Sequence, residues 1–283
     1  MAGSDAARVE WPSRLARLLE RPRYEVIPVR GIEDKVAVLV PGSTVTVTAS
    51  PSHGIERTVE TSEALAARGY DVVPHLAARM VRDEAELAGI LQRLSAAGIR
   101  QAFVVGGDAS PPAGEFADAA ALLDAIGRQP HDLERIGVGG YPEGHPSIAD
   151  DRLLEALLHK QAYADYVATQ ICFDADVLTG WIRRMRAAGV ALPVVVGLPG
   201  VVDRRKLAEI SLQTGVGASV RYLVKHGRQV AALMRTRRFD PGPLARALAG
   251  SLDAPDLGIE GLHLFTFNQV DSTQAWLRHT ASS

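Results

Sequence analysis

Cysteine is almost missing from this chain: Cys172 is the single thiol among 283 residues. An intramolecular disulfide framework is therefore excluded, and no CxxC or His/Cys cluster has the spacing of a structural zinc site. A reducing compartment such as the cytosol is the expected setting. Long apolar runs are lacking as well. No stretch approaches the ~18 apolar residues that a membrane-spanning helix requires, and the opening MAGSDAARVEWPSRLARLLERPR scatters charge where a signal peptide would carry an apolar core. Neither a membrane partner nor export is expected. An excess of one charge is also lacking: 31 Lys and Arg against 33 Asp and Glu leave a net charge of −2. Nothing therefore implies a nucleic-acid partner, and composition leaves the oligomeric state open.

What the chain has is apolar material, 47% of its residues, enough for one large core or for two domains. Short β-type runs recur at fairly even intervals: RYEVIPV (23–29), STVTVTA (43–49), DVVPHLA (71–77), QAFVVGG (101–107), RIGVGGY (135–141), DYVATQI (165–171), PVVVGLP (193–199) and GLHLFTF (261–267). Helical patterns lie between them. Leu87, Ile90, Leu91 and Leu94 form one apolar stripe, and Val177, Leu178, Trp181, Ile182 and Met185 another. Gly69, Gly98 and Gly189 stand where a helix would end in a left-handed residue before the next strand. Alternating strands and helices in this length predict a closed (βα)8 TIM barrel, its nearly continuous apolar strands buried on both faces. The expected boundaries are a helical extension over 1–22 and the barrel over 23–283. Residues 200–260 carry no strand signal, so RRKLAEISLQ, VRYLVKHGRQVAALM and PGPLARALAGS are read as helices of an elaborated seventh unit. A doubly wound open sheet is the alternative, but PVRGIED after the first strand is not the glycine fingerprint GxGxxG.

Barrel chemistry sits where strands end, so the polar residues at those exits are the site candidates. They are Glu25, Thr48, His75, Asp108, the loop from Tyr141 to His145, Gln170, His263 and Asn268. For each alone the structural explanation is strong: an Asp after two glycines commonly caps a helix, and a strand-end His or Gln is often a satisfied hydrogen-bonding group. Glu25 stands out, because a carboxylate among Tyr24, Val26 and Ile27 must be paired or used. GVGGYPEGHP (137–146) stands out too. Two glycines permit close backbone approach, and two prolines stiffen the path that carries Tyr141, Glu143 and His145.

These residues carry a resemblance. EVIP (25–28), TVTVTAS (44–50), PHLA (74–77), VGGD (105–108), GVGGYPEGHP, ADYVATQICFD (164–174) and GLHLFTFN (261–268) resemble, in order, the motifs of the methylenetetrahydrofolate reductase family. The resemblance implies a (βα)8 barrel that reduces 5,10-methylenetetrahydrofolate to 5-methyltetrahydrofolate with a reduced nicotinamide. It implies Glu25 as general acid for the leaving N10, a role that needs a pKa near working pH. Asp108, Gln170 and Thr48 are implied as folate contacts, and His75, Tyr141 and His145 as the cofactor side. Most of the family binds FAD through an Arg in an RGD motif and a basic, Asn-bearing helix. Here Gly106 replaces the Arg, and Glu155, His159 and Tyr163 replace the Asn, the last Lys and a Gly. Losing cations removes charge-assisted contacts to a pyrophosphate. The pattern resembles the short flavin-independent branch known from actinobacteria, which implies direct hydride transfer from NADH, with NADPH as the alternative donor. Two other readings stay open: an FAD enzyme whose pyrophosphate is held by Lys160, and a folate-binding barrel without catalysis.

Overall fold

Each of the eight apolar runs forms a strand, and all eight pair in parallel and in chain order until the last closes on the first. The computed structural model describes residues 12–203 and 238–281. Helix α1 (Ser13–Glu20) leads into β1 (Arg23–Val26), then α2 (Ile32–Val36), β2 (Thr44–Val47), α3 (Gly54–Ala66) and β3 (Asp71–Ala77). The chain continues through α4 (Glu84–Ala96), β4 (Gln101–Val105), α5 (Ala119–Gly127), β5 (Arg135–Gly140) and α6 (Asp150–Lys160). It then forms β6 (Tyr166–Thr169), α7 (Ala175–Ala187), β7 (Val194–Pro199), α8 (Gly242–Leu252), β8 (Ile259–Phe265) and α9 (Val270–Ala281). The expected helices over 204–213 and 220–234 lie outside the described residues, and the third expected there is α8.

Local chemistry explains where the helices start and stop. Asp83, Asp118 and Asp174 sit just before α4, α5 and α7, and each carboxylate accepts from a backbone N–H of the first turn. Gly69, Gly98 and Gly189 follow the ends of α3, α4 and α7 with φ of 84°, 71° and 97°, the left-handed region anticipated for them. On α4 the buried stripe is Leu87, Ile90, Leu91 and Leu94, as the spacing predicts. On α7 it is Leu178, Thr179, Trp181 and Ile182. Val177 is exposed there, because it lies at the first turn, off the face that meets the sheet.

Alternation along the strands assigns most of the apolar residues to two of the three clusters found among the described residues. The larger joins the outward side chains, among them Val45, Val72, Val104, Val138, Val167 and Leu264, to the helices. A smaller one, Val73, Phe103, Tyr166, Ala168 and Val195, fills the barrel interior. Below it, at the strand starts, polar side chains plug the barrel floor. Arg23 Nη1 donates to Tyr166 Oη at 2.7 Å, Thr44 and Gln101 donate to Asp71, and Arg135 pairs with Glu260. Tyr166 can cross the interior only because Gly137 faces it; a Cβ there would overlap the phenol ring. Helix α1 packs Leu15 and Leu19 inward, and its Arg14 Nη2 donates to the carbonyl of Ile259 at 2.8 Å, where β8 begins. Among the described residues no helix is long and apolar enough to cross a membrane.

Candidate active site

Strand parity decides which side chains the barrel can use. In β1, Tyr24 and Val26 are buried toward the helices, so Glu25 between them turns inward and keeps 14% side-chain exposure. Its backbone carbonyl accepts from Thr266 Oγ1 at 2.6 Å. Its carboxyl Oε2 lies 2.9 Å from His263 Nε2 of β8 and 3.9 Å from His75 Nε2 of β3. Both imidazoles are buried and braced by aromatic rings: His75 against Phe103 at 4.7 Å, His263 against Phe265 at 4.8 Å. Burial pushes the His75 pKa down to about 4, with Glu25 opposing and His263 adding to the shift. His75 is a neutral imidazole at ordinary pH, and its Nε2 has no hydrogen-bond partner.

A second group gathers at the exits of β4 and β5. Tyr141 and His145 meet edge to face at 5.2 Å. Burial raises the Tyr141 phenol and lowers His145, while the nearby Asp108 carboxylate pushes both upward. Asp108 itself is exposed and caps no helix, since α5 takes its cap from Asp118. The turn is fixed by Gly144 at φ 78° and by the Gly144 N–H donating to the Tyr141 carbonyl at 3.1 Å. Glu143 anchors it to the neighbouring exit by accepting from Cys172 Sγ at 3.5 Å. Burial lifts that thiol to about 12, so Cys172 is a packing group.

The remaining exit residues have mixed roles. Thr48 and Gln170 are half-buried one residue beyond their strands, where their N–H groups extend the ladder to Val26 O and Gly140 O at 3.0 and 2.7 Å. Gln170 Oε1 accepts from the Ile171 N–H at 2.8 Å. Asn268 is structural: at φ 63° its amide accepts from Ile27 N–H at 2.7 Å and donates to Ile27 O at 3.0 Å, closing β8 onto β1. Of the three exit histidines, His75 and His263 stand with Glu25, and His145 stands with Tyr141. His263, which the family resemblance gives no role, is the closest side-chain partner of the Glu25 carboxyl. Its signal was parity, since it shares the inward face of β8 with Phe265. Among the described residues no group of three or more His, Cys, Asp or Glu could hold a metal ion.

Helix α6 presents two faces. Arg152 is paired with Glu155 at 2.7 Å, His159 lies edge-on to Tyr163 at 5.9 Å, and the Tyr163 phenol bonds to Asp124. The other face lines a cleft against Gly140, Tyr141 and Pro142 and against Trp181, Arg184 and Met185 of α7, and Lys160 belongs to it. Burial there lowers the Lys160 pKa, with Asp118 opposing.

The sequence profile of the family described as methylenetetrahydrofolate reductase matches residues 33–219. A methylenetetrahydrofolate reductase 2 of Saccharomyces cerevisiae is 36% identical over 93 residues, 31% of this chain and 16% of that protein. A probable methylenetetrahydrofolate reductase (NADPH) of Caenorhabditis elegans is 25% identical over 224 residues, 74% of this chain and 32% of that one. A 5,10-methylenetetrahydrofolate reductase of Pectobacterium carotovorum is 27% identical over 222 residues, 73% of this chain and 68% of the bacterial one. The matches thus span less than a third of the yeast and nematode proteins.

Proposed function

Since the chain belongs to the methylenetetrahydrofolate reductase family, we propose that it reduces 5,10-methylenetetrahydrofolate to 5-methyltetrahydrofolate, taking hydride directly from NADH without a flavin. The observation that carries this reading is the Glu25 carboxyl, turned into the barrel, held by His263 through one oxygen and still partly exposed. The folate's five-membered ring opens when the methylene carbon parts from N10, and a proton delivered to N10 by Glu25 lets that nitrogen leave. The reduced nicotinamide supplies the hydride that converts the N5 methylene into a methyl group. Asp108 accepts from the pterin amino and ring N–H groups, Gln170 orients the ring, and Thr48 adds a polar contact. Tyr141 and His145, with His75 deeper in the barrel, wall the nicotinamide side.

Observations on α6 and β4 support direct transfer. At the positions where the family resemblance would put flavin contacts, Gly106 offers no side chain, Glu155 brings an anion that Arg152 pairs with, and His159 and Tyr163 pack on each other. These residues do not fit a pyrophosphate. Lys160, the cation that would have to substitute, lines a cleft that Tyr141 and Pro142 also border, where burial disfavours its charge. The test is anaerobic mixing of protein, checked free of flavin by its absorption spectrum, with NADH and methylenetetrahydrofolate. Nicotinamide oxidation matched by 5-methyltetrahydrofolate formation is expected, and NADPH in place of NADH compares the two donors. Oxidation that appears only after FAD is added would reject the flavin-free reading.

A further inference from the structure

The proton transfer above uses Glu25 and leaves its buried neighbour His263 without a task. His263 and His75, 3% and 7% exposed, approach from β8 and β3 and aim their Nε2 atoms at the same carboxyl oxygen. Among the described residues, Oε2 alone of the two carboxyl oxygens has protein partners. The two approaches are unequal. At 2.9 Å His263 is in hydrogen-bond range, whereas His75 at 3.9 Å is beyond it. The other groups around Glu25 do not compete for Oε2. Thr266 Oγ1 donates to the Glu25 backbone carbonyl, Thr46 of β2 makes no side-chain hydrogen bond, and Arg23 on the same face of β1 is engaged with Tyr166.

We propose that His263 is a positioning residue for Glu25: its Nε2–H donates to Oε2, which fixes the carboxyl so that Oε1 carries the acid proton toward the substrate. The same hydrogen bond stabilises the carboxylate that remains after the proton has gone. In the step it serves, the bond between the methylene carbon and N10 breaks and its electron pair stays on N10, which takes the proton from Oε1. Hydride from the reduced nicotinamide then adds to the methylene carbon, and a solvent proton restores Glu25 after product release. The neutral His75, packed on Phe103, closes the pocket behind the carboxyl without contributing charge. The identity of the proton's acceptor rests on the reductase reading, but the pairing of His263 with Glu25 does not.

Two readouts test it. Nitrogen-15 NMR of the ring reports the tautomer without any turnover: Nε2 should carry the proton, and its resonance should move in E25Q. In steady-state kinetics H263L, which lacks the donor, should lose kcat by about 10- to 100-fold with folate KM within about twofold. H263Q, which can return an N–H near the place of Nε2, should regain most of that loss. A ring protonated at Nδ1 with bare Nε2, a folded H263L with wild-type kcat, or an H263Q no better than H263L overturns the proposal. Should H263L not fold, the tautomer and H263Q decide. Wild-type protein that shows the Glu25-dependent Nε2–H signal yet turns over no folate would reject the reductase reading and leave the pairing intact.

Discussion

A carboxylate half-enclosed by a barrel is tolerated where its charge is answered, and at Glu25 the answer comes from a residue 238 positions away. The need for a partner was legible in the sequence, because Tyr24 and Val26 mark β1 as buried. The partner was not, since β8 meets β1 only when the barrel closes. Glu25→Gln keeps the shape and removes the acid, so kcat should fall by ~10² or more at unchanged melting temperature; near-normal turnover would remove Glu25 from the chemistry. Asp108 and Gln170 neither cap a helix nor fill the core, so Asp108→Asn and Gln170→Ala should lower kcat/KM for folate and leave the melting temperature within a few degrees. Unfolding of both variants would make them structural. His75 predicts a pH effect on stability. Its folded pKa of about 4 lies below the ordinary 6.5, so below about 6.5 the unfolded chain binds a proton that the folded one refuses. Stability from this group is complete above that value and declines as pH falls toward 4, by about 2 kcal/mol at pH 5. Urea unfolding at pH 7 and pH 5 should show a smaller difference in His75→Leu than in the parent protein. An equal difference in both would place the effect elsewhere.

At the scale of elements, periodicity and turn chemistry locate all eight strands: β3 matches its run, β8 begins two residues earlier, and six strands end one to three residues short, as β1 does at Val26. Pro28 accounts for part of that difference, having no N–H for a ladder. The short helix α2 was missed: five residues are too few to show a period. In the GVGGYPEGHP stretch, the close approach that Gly140 permits is internal. A Cβ on Gly140 would lie 2.6 Å from Trp181 Cη2 and 2.9 Å from Val167 Cγ2. Gly140 thus lets β5 pack under α7 while Tyr141 emerges at the mouth. Gly140→Ala should destabilise the fold by about 1–3 kcal/mol through this overpacking, measured by denaturant titration. A neutral substitution would mean that Trp181 has room to turn.

For the whole molecule, eight evenly recurring apolar strands alternating with helices are sufficient to reach a closed parallel barrel, because each βα unit is local and only the closure is not. The candidate site was legible as a set of exits, yet its division into an inner group around Glu25 and an outer group around Tyr141 needed three-dimensional geometry. That division matters for how electrons move. A flavin enzyme can take hydride, release oxidised nicotinamide and then admit folate, which gives ping-pong kinetics with parallel double-reciprocal lines. A protein that cannot store hydride must hold nicotinamide and pterin together at a near-attack distance of about 3 to 3.5 Å. The most direct measurement is therefore initial velocity with NADH and methylenetetrahydrofolate varied against each other on the protein as purified. Intersecting lines are predicted; parallel lines, or a stoichiometric yellow cofactor released on denaturation, would contradict direct transfer.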